Sequence, residues 1–273
     1  MAKPKPQDPQ PQDPQLPVPH ADAIDFEADA GKGMEGADRD SYAIPFLAVL
    51  QPLSPVVANG EIEGAKAGLL FNTVTRQLFP EAVIVPCAYQ RRWVRWAPRE
   101  AGGGYRGEVT TAQVLEMKER GEVKELERNL YFPLPDGSLN EKKCERLVDT
   151  RNHFVLVLPD EDASIGSPAL LALSSTGIKR SKNFMARING LKVQRADGTV
   201  YNPPAFAHMY RIKTVKESND QGIWFSPEID AIGPVRRRSV YELAKSFYES
   251  VGSGTVEVAH ETARTDSTEQ AGF

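Results

Sequence analysis

Arg91, Arg92 and Arg95 alternate with Trp93 and Trp96 in the segment QRRWVRWAPR, residues 90–99, a combination able to hold an anion and a flat ring together. A guanidinium is a planar, permanent cation that bonds phosphate bidentately or stacks on a base. An indole offers the surface on which an unpaired base can stack, worth about 1–3 kcal/mol per base. On a strand Trp93 and Trp96 point to opposite faces, so at most one is an open platform unless a bulge intervenes. The alternative is a pair of core tryptophans with arginine stems packed over them, and the residues alone leave both open.

A second basic segment runs from Ser174 to Arg195. It holds Lys179, Arg180, Lys182, Arg187, Lys192 and Arg195, and no acidic residue lies between Asp162 and Asp197. A solvated face normally mixes both signs, so this one reads as a surface for a polyanion. The hydroxyls of Ser174, Ser175, Thr176 and Ser181 and the amide of Asn183 could reach phosphate oxygens. A third segment places Arg211 and Lys213 in alternation with apolar residues, close to Trp224 and Phe225. Arg236, Arg237 and Arg238 add a compact cluster that serves equally well as a cap on an element. The candidate phosphate contacts are therefore Arg91, Arg92, Arg95, Lys179, Arg180, Lys182, Arg187, Arg211 and Lys213. The candidate stacking rings are Trp93, Trp96, Phe184 and Tyr210. No zinc finger, basic zipper or helix-turn-helix accompanies them, and stacking residues with cations but no base-reading device point to single strands.

Catalytic patterns are weak. Gly64-Ala-Lys-Ala-Gly68 lacks the GK[ST] ending of a phosphate loop. The four histidines are scattered, and none has metal-ligand spacing. Asp160-Glu161-Asp162 follows a strand end, where carboxylates can hold magnesium in nucleases. The Ala-Ser-Ile-Gly-Ser-Pro that follows reads instead as an exposed, solvated loop. We expect a protein that is not an enzyme and needs no cofactor or metal, with a magnesium-dependent nuclease the least favoured alternative.

These segments need elements to position them. Residues 82–97, 151–158 and 169–174 read as strands from their β-branched and aromatic content. Residues 111–128 have helix-forming composition that Gly121 could split or end. Residues 175–191 read as a cap followed by a basic helix, and 240–251 as a closing helix. Residues 205–215 alternate as a strand, with Phe206, His208, Tyr210 and Ile212 on one side, and 222–225 continue as a short strand. The expected class is α+β, strand-rich with helical insertions.

Charge divides the chain into three parts. Up to Gly64, four Lys+Arg stand against eleven Asp+Glu; from Ala65 to Tyr248, 28 stand against 21; from Glu249 onward, one stands against five. Residues 1–40, with the low-complexity run PQDPQPQDPQ, read as a disordered acidic tail, 41–251 as the nucleic-acid-binding domain, and 252–273 as a flexible acidic tail. No run of about eighteen apolar residues is present to span a membrane. Residues 1–16 lack the apolar stretch of a secretory signal. Cys87 and Cys144 stand far apart without CxxC spacing, which fits free thiols in a reducing, cytoplasmic compartment.

The stretches DRDSYAIPFLAVLQPLSP, GAKAGLLFNTVT, QRRWVRWAPRE and SSTGIKRSKNFMARI, with PPAFAHMYRIKTVKESNDQGIWF, resemble a tailed-bacteriophage single-stranded DNA-binding family from replication gene clusters. The resemblance covers roughly residues 38–230. It implies an OB-fold-like barrel with DNA crossing the strand face, in the host cytoplasm. It also implies a C-terminal tail that recruits replication proteins, with Glu269 and Phe273 as its partner-binding residues. This tail is less acidic than that pattern, because Arg264 interrupts its carboxylates. A virion or scaffold-type interaction protein is the alternative function.

Overall fold

In the computed structural model, β-branched and aromatic runs build two long strands that organise everything else. The structure describes residues 28–30, 32–36, 43–127, 129–220, 222–254 and 257–258. The chain divides into two units, Met1–Asp38 and Arg39–Phe273. The described residues of the first form turns, in which Lys32 pairs with Asp29.

The second unit begins with β1 (Ala43–Ile44), β2 (Leu47–Val49), α1 (Pro55–Ala58), β3 (Leu70–Asn72) and β4 (Leu78–Phe79). It continues through β5 (Glu81–Trp96), β6 (Tyr105–Val109), α2 (Thr111–Glu119), β7 (Lys124–Leu126) and β8 (Asn129–Tyr131). Then come β9 (Arg146–Leu158), β10 (Ser167–Ser174), α3 (Gly177–Gly190), β11 (Val193–Gln194) and β12 (Val200–Tyr201). Last are β13 (His208–Asn219), β14 (Gly222–Pro234), α4 (Arg238–Gly252) and β15 (Glu257–Val258).

β5 and β9 pair antiparallel from Val83 opposite Leu158 to Trp96 opposite Arg146, with a bulge at Pro86, which has no N–H to give a ladder. Beside one half of this pair the order is β14-β13-β5-β9, with β10 on the far edge of β9. Beside the other half, β6 lines β5 and β8 lines β9, with β7 outside it. Each face of the sheet has its own core. On one, Val240, Ala244 and Phe247 of α4 pack on Val83, Val85 and Leu156. On the other, Phe184 of α3 joins Leu47, Ile84, Val155, Leu171 and Ile212. α2 seals a smaller cluster of Val114, Val123, Leu130 and Leu147 at the β6–β8 end.

The sheet curls toward α3. Phe46 bridges in parallel to Leu170, which sets β2-β3-β4 beyond β10. Across the opening, the Gln51 carboxamide accepts from the Phe225 N–H and donates to its carbonyl, both at 2.8 Å. That is the pairing a neighbouring strand would have provided to the exposed edge of β14. Gly68 allows the close approach: its φ is 93°, and a Cβ there would lie 2.7 Å from the Phe225 ring. α3 covers the same edge, where the Arg187 guanidinium donates to the Ile229 carbonyl.

The α+β, strand-rich class agrees with the sequence reading, but the barrel does not follow. Among the described residues the strands form open sheets, because a helix and a side-chain amide stand in the seam where a strand would complete a barrel. Three further differences have local causes. Gly121, at φ 72°, ends α2, so Lys124–Leu126 is strand and not helix. Residues Ala205–Ala207 form a 3-10 turn and β13 begins only at His208, so Phe206 falls on the α4 face with Met209, while Tyr210 and Ile212 keep the shared side expected of them. Glu257–Val258, expected in the polar tail, pairs in parallel with β1.

Candidate nucleic-acid interface

Cross-strand register decides what each predicted cation can do. On β5, Arg91 makes a bidentate bond to Asp149 of β9, at 2.9 and 2.8 Å, and this bond raises the guanidinium above its ordinary value. Arg92 meets Glu108 of β6 at 3.2 Å. Burial pushes the Glu108 carboxyl up, and Arg92 only partly offsets that. Arg95 pairs with Glu145 and lies 4.0 Å over the Phe132 ring. Three arginines that looked uncompensated in sequence therefore face three carboxylates. Half-exposed pairs of this kind contribute about 0–1 kcal/mol each to stability, but they leave little net charge for a phosphate.

The β5 tryptophans are packed as well. Trp93 lies against the small cluster around Val114, beneath Arg91 at 5.4 Å, and Trp96 meets the Tyr105 ring edge-on at 6.2 Å. Both indole N–H groups are buried without an acceptor among the described residues. Phe184 and Tyr210, offered as stacking rings, belong to the core. They are 1 % and 0 % exposed and pack edge-to-face at 5.0 Å, so neither presents a face to a base. Arg211 is held between Glu81 and Glu161, at 2.7 and 2.6 Å. Lys213 meets Glu228 at 3.2 Å, and that bond raises its pKa. Glu161 and Asp162 also bind Arg236, at 2.6 and 3.1 Å, so two of the three carboxylates after β9 are tied to cations. Glu269 and Phe273 lie outside the described residues.

α3 is different. Its inner side is anchored: Ser181 meets the buried Nε2 of His153 at 2.8 Å, Arg180 pairs with Glu217, and Arg187 with Asp230. Its outer side carries Lys179 and Lys182, both exposed and without a counter-charge among the described residues. The β11–β12 hairpin extends this surface, tied back to the helix by the Asn202 amide on the Asn189 carbonyl. Lys192 bonds there to the Asn202 side chain, and Arg195 lies 4.4 Å over the half-exposed Tyr201 ring. Lys179, Lys182, Lys192 and Arg195 thus form a strip of cations with no carboxylate partner among the described residues, and the strip bears the accessible Tyr201 ring. Tyr201 was missed by the sequence reading. Its signal was present, since Asp197-Gly198 between Val193 and Val200 is a hairpin pattern.

At the N-terminal end of α3 the curled sheet opens into a cleft of about 290 Å³. Its bed is Leu47, Val49, Leu171 and Leu173; Trp224 and Phe225 stand on the β14 side, and Ser174, Ser175 and Thr176 on the helix side. Trp224 is locked in place by its indole N–H, which donates to Glu217 at 2.8 Å. Burial alone would raise the Glu217 carboxyl, but bonds from Arg180, Ser226 and Trp224 outweigh it and hold the group below its usual value. Thr176 precedes α3 without a side-chain capping bond, and the Ser174 and Ser175 hydroxyls have no hydrogen-bond partner among the described residues.

Residues 12–257 match the family described as Pam3 phage gp34-like protein. The chain belongs to this family. It is accordingly a phage protein, and the cationic strip and the cleft both lie within the matched residues of the gp34-like chain. No curated protein and no solved structure matches the sequence. No helix among the described residues is long and apolar enough to cross a membrane.

Proposed function

We propose that this gp34-like protein binds single-stranded DNA in phage replication or recombination, without reading base sequence, along α3 and the β11–β12 hairpin. The observation that carries the reading is the strip Lys179, Lys182, Lys192 and Arg195, which has no carboxylate partner among the described residues while Arg91, Arg92 and Arg95 all do. Uncompensated cations neutralise phosphates and displace the counterions condensed on the strand, which is the source of sequence-independent affinity. Tyr201 beneath Arg195 adds a stacking surface that tolerates any base. The phosphate surface in this reading is the helix and its hairpin, not strand β5.

The test is a fluorescence-anisotropy titration of labelled oligo-dT against a matched duplex at two salt concentrations. Salt-sensitive binding that favours the single strand supports the reading, and absence of binding at low salt refutes it. A scaffold-type interaction protein is the second reading, favoured by the near-neutral, ion-paired surface of β5. A large, ordered, DNA-free assembly on gel filtration would support that instead.

A further inference from the structure

We infer that the cleft at the N-terminal end of α3 captures one nucleobase of the bound strand, with Trp224 as its stacking wall. This inference rests on the reading of the α3 strip as the DNA-binding surface and deepens it. The size of the cleft limits the occupant. At about 290 Å³ it lies at the small end of ligand pockets, enough for a single flat heterocycle and too small for a folded partner element.

Its chemistry selects among small occupants. The bed of Leu47, Val49, Leu171 and Leu173 is apolar, and burial of a planar ring there is favourable. Ring edges carry donors and acceptors, and the Ser174, Ser175 and Thr176 hydroxyls at the rim have no hydrogen-bond partner among the described residues. A hydroxyl is both donor and acceptor, so these groups can serve any base and select none. Trp224 cannot swing away, because Glu217 holds its N–H and is itself held by Arg180 and Ser226. Pre-set orientation lowers the ordering cost of stacking.

Charge completes the case for a nucleotide over a neutral ring. Lys179 follows the rim residue Thr176 by less than one helical turn, and Lys182 continues along the exposed side. A base in the cleft therefore leaves its flanking phosphates beside cations that have no carboxylate partner among the described residues. Leu53 at 73 % and Ile223 at 50 % exposure stand on the mouth, two apolar side chains that a seated base would cover.

The experiment compares oligo-dT with an abasic oligonucleotide of equal length, using the full chain. The two probes carry the same phosphates and differ only in bases. Wild-type protein is expected to bind oligo-dT about 10-fold more tightly than the abasic strand. Trp224→Ala should remove most of that difference while leaving abasic binding unchanged. Because loss of the indole could disturb the β13–β14 hairpin, Leu53→Glu is the second variant. Its side chain is largely in solvent, and a carboxylate at the mouth should lower oligo-dT binding several-fold more than abasic binding. Equal affinity of wild type for the two probes, or equal losses in both variants, overturns the base-capture inference and leaves the strip as a pure phosphate surface. Failure of both probes to bind wild type refutes the DNA-binding reading itself. Tight binding of a phenylalanine-bearing peptide, with none of dT, would assign the cleft to a protein side chain and overturn the inference by another route.

Discussion

Neutralising Lys179 and Lys182 should change the salt dependence of DNA binding far more than any change on β5. If Lys179, Lys182, Lys192 and Arg195 each neutralise one phosphate of a single strand, log K falls with log[salt] at a slope of about −2.8. Between 50 and 200 mM salt that is a loss of about 50-fold in affinity. Lys179→Ala with Lys182→Ala halves the number of contacts, so the slope falls to about −1.4 and the loss to about 7-fold. The matched control is Arg92→Gln with Glu108→Gln, which removes one β5 ion pair without changing net charge. Its slope should equal that of wild type, because a cation already neutralised by a carboxylate displaces no counterion from the strand. The assay is anisotropy of labelled oligo-dT at five or more salt concentrations, with circular dichroism to check folding. An unchanged slope in the lysine variant, with a reduced one in the β5 variant, would refute the assignment and return the contact surface to the arginine strand.

Three further outcomes follow from the packing. His153 is 1 % exposed, and burial, aided by Arg151, lowers its pKa to about 4. The unfolded chain then binds the extra proton between about pH 6.5 and 4, so stability present at neutral pH is lost as pH falls through that window. From pH 7 to 5 the loss is about 2 kcal/mol, and urea unfolding of His153→Gln should show that much less pH dependence than wild type. Phe184→Ala should destabilise the fold by about 3–5 kcal/mol in the same assay, as expected of a core ring and not of a stacking platform. Gly68→Ala should cost more than about 1 kcal/mol, since it places a Cβ against the Phe225 ring in a backbone conformation that L-residues avoid; an unchanged urea midpoint would show that the seam at Gln51 is loose.

Much of the framework was readable because its causes are local. The β-branched run of residues 82–97 is β5, the strand of 151–158 is the greater part of β9, and the basic and closing helices are α3 and α4. The local excess of cations on α3 was also readable, since 163–196 contains no acid, but Glu217 and Asp230 from β13 and β14 compensate Arg180 and Arg187. Where local pattern failed, a short segment decided: Lys124–Leu126 beyond Gly121 pairs as strand β7, and the 3-10 turn at Ala205–Ala207 takes Phe206 off the alternation of β13.

Sequence by itself determined the strand-rich α+β class, the positions of the main elements and the excess of cations between Asp162 and Asp197. Tertiary structure alone decided which cations remain available. Glu108, Glu145 and Asp149 lie 16, 50 and 58 positions from the arginines they pair with, and only the register of β6 and β9 against β5 brings them together. The same holds for Phe184 and Tyr210, whose burial depends on α3 closing the seam of the curled sheet. Periodicity along the chain reports which face a side chain takes, while charge compensation and burial depend on which distant strand or helix occupies that face.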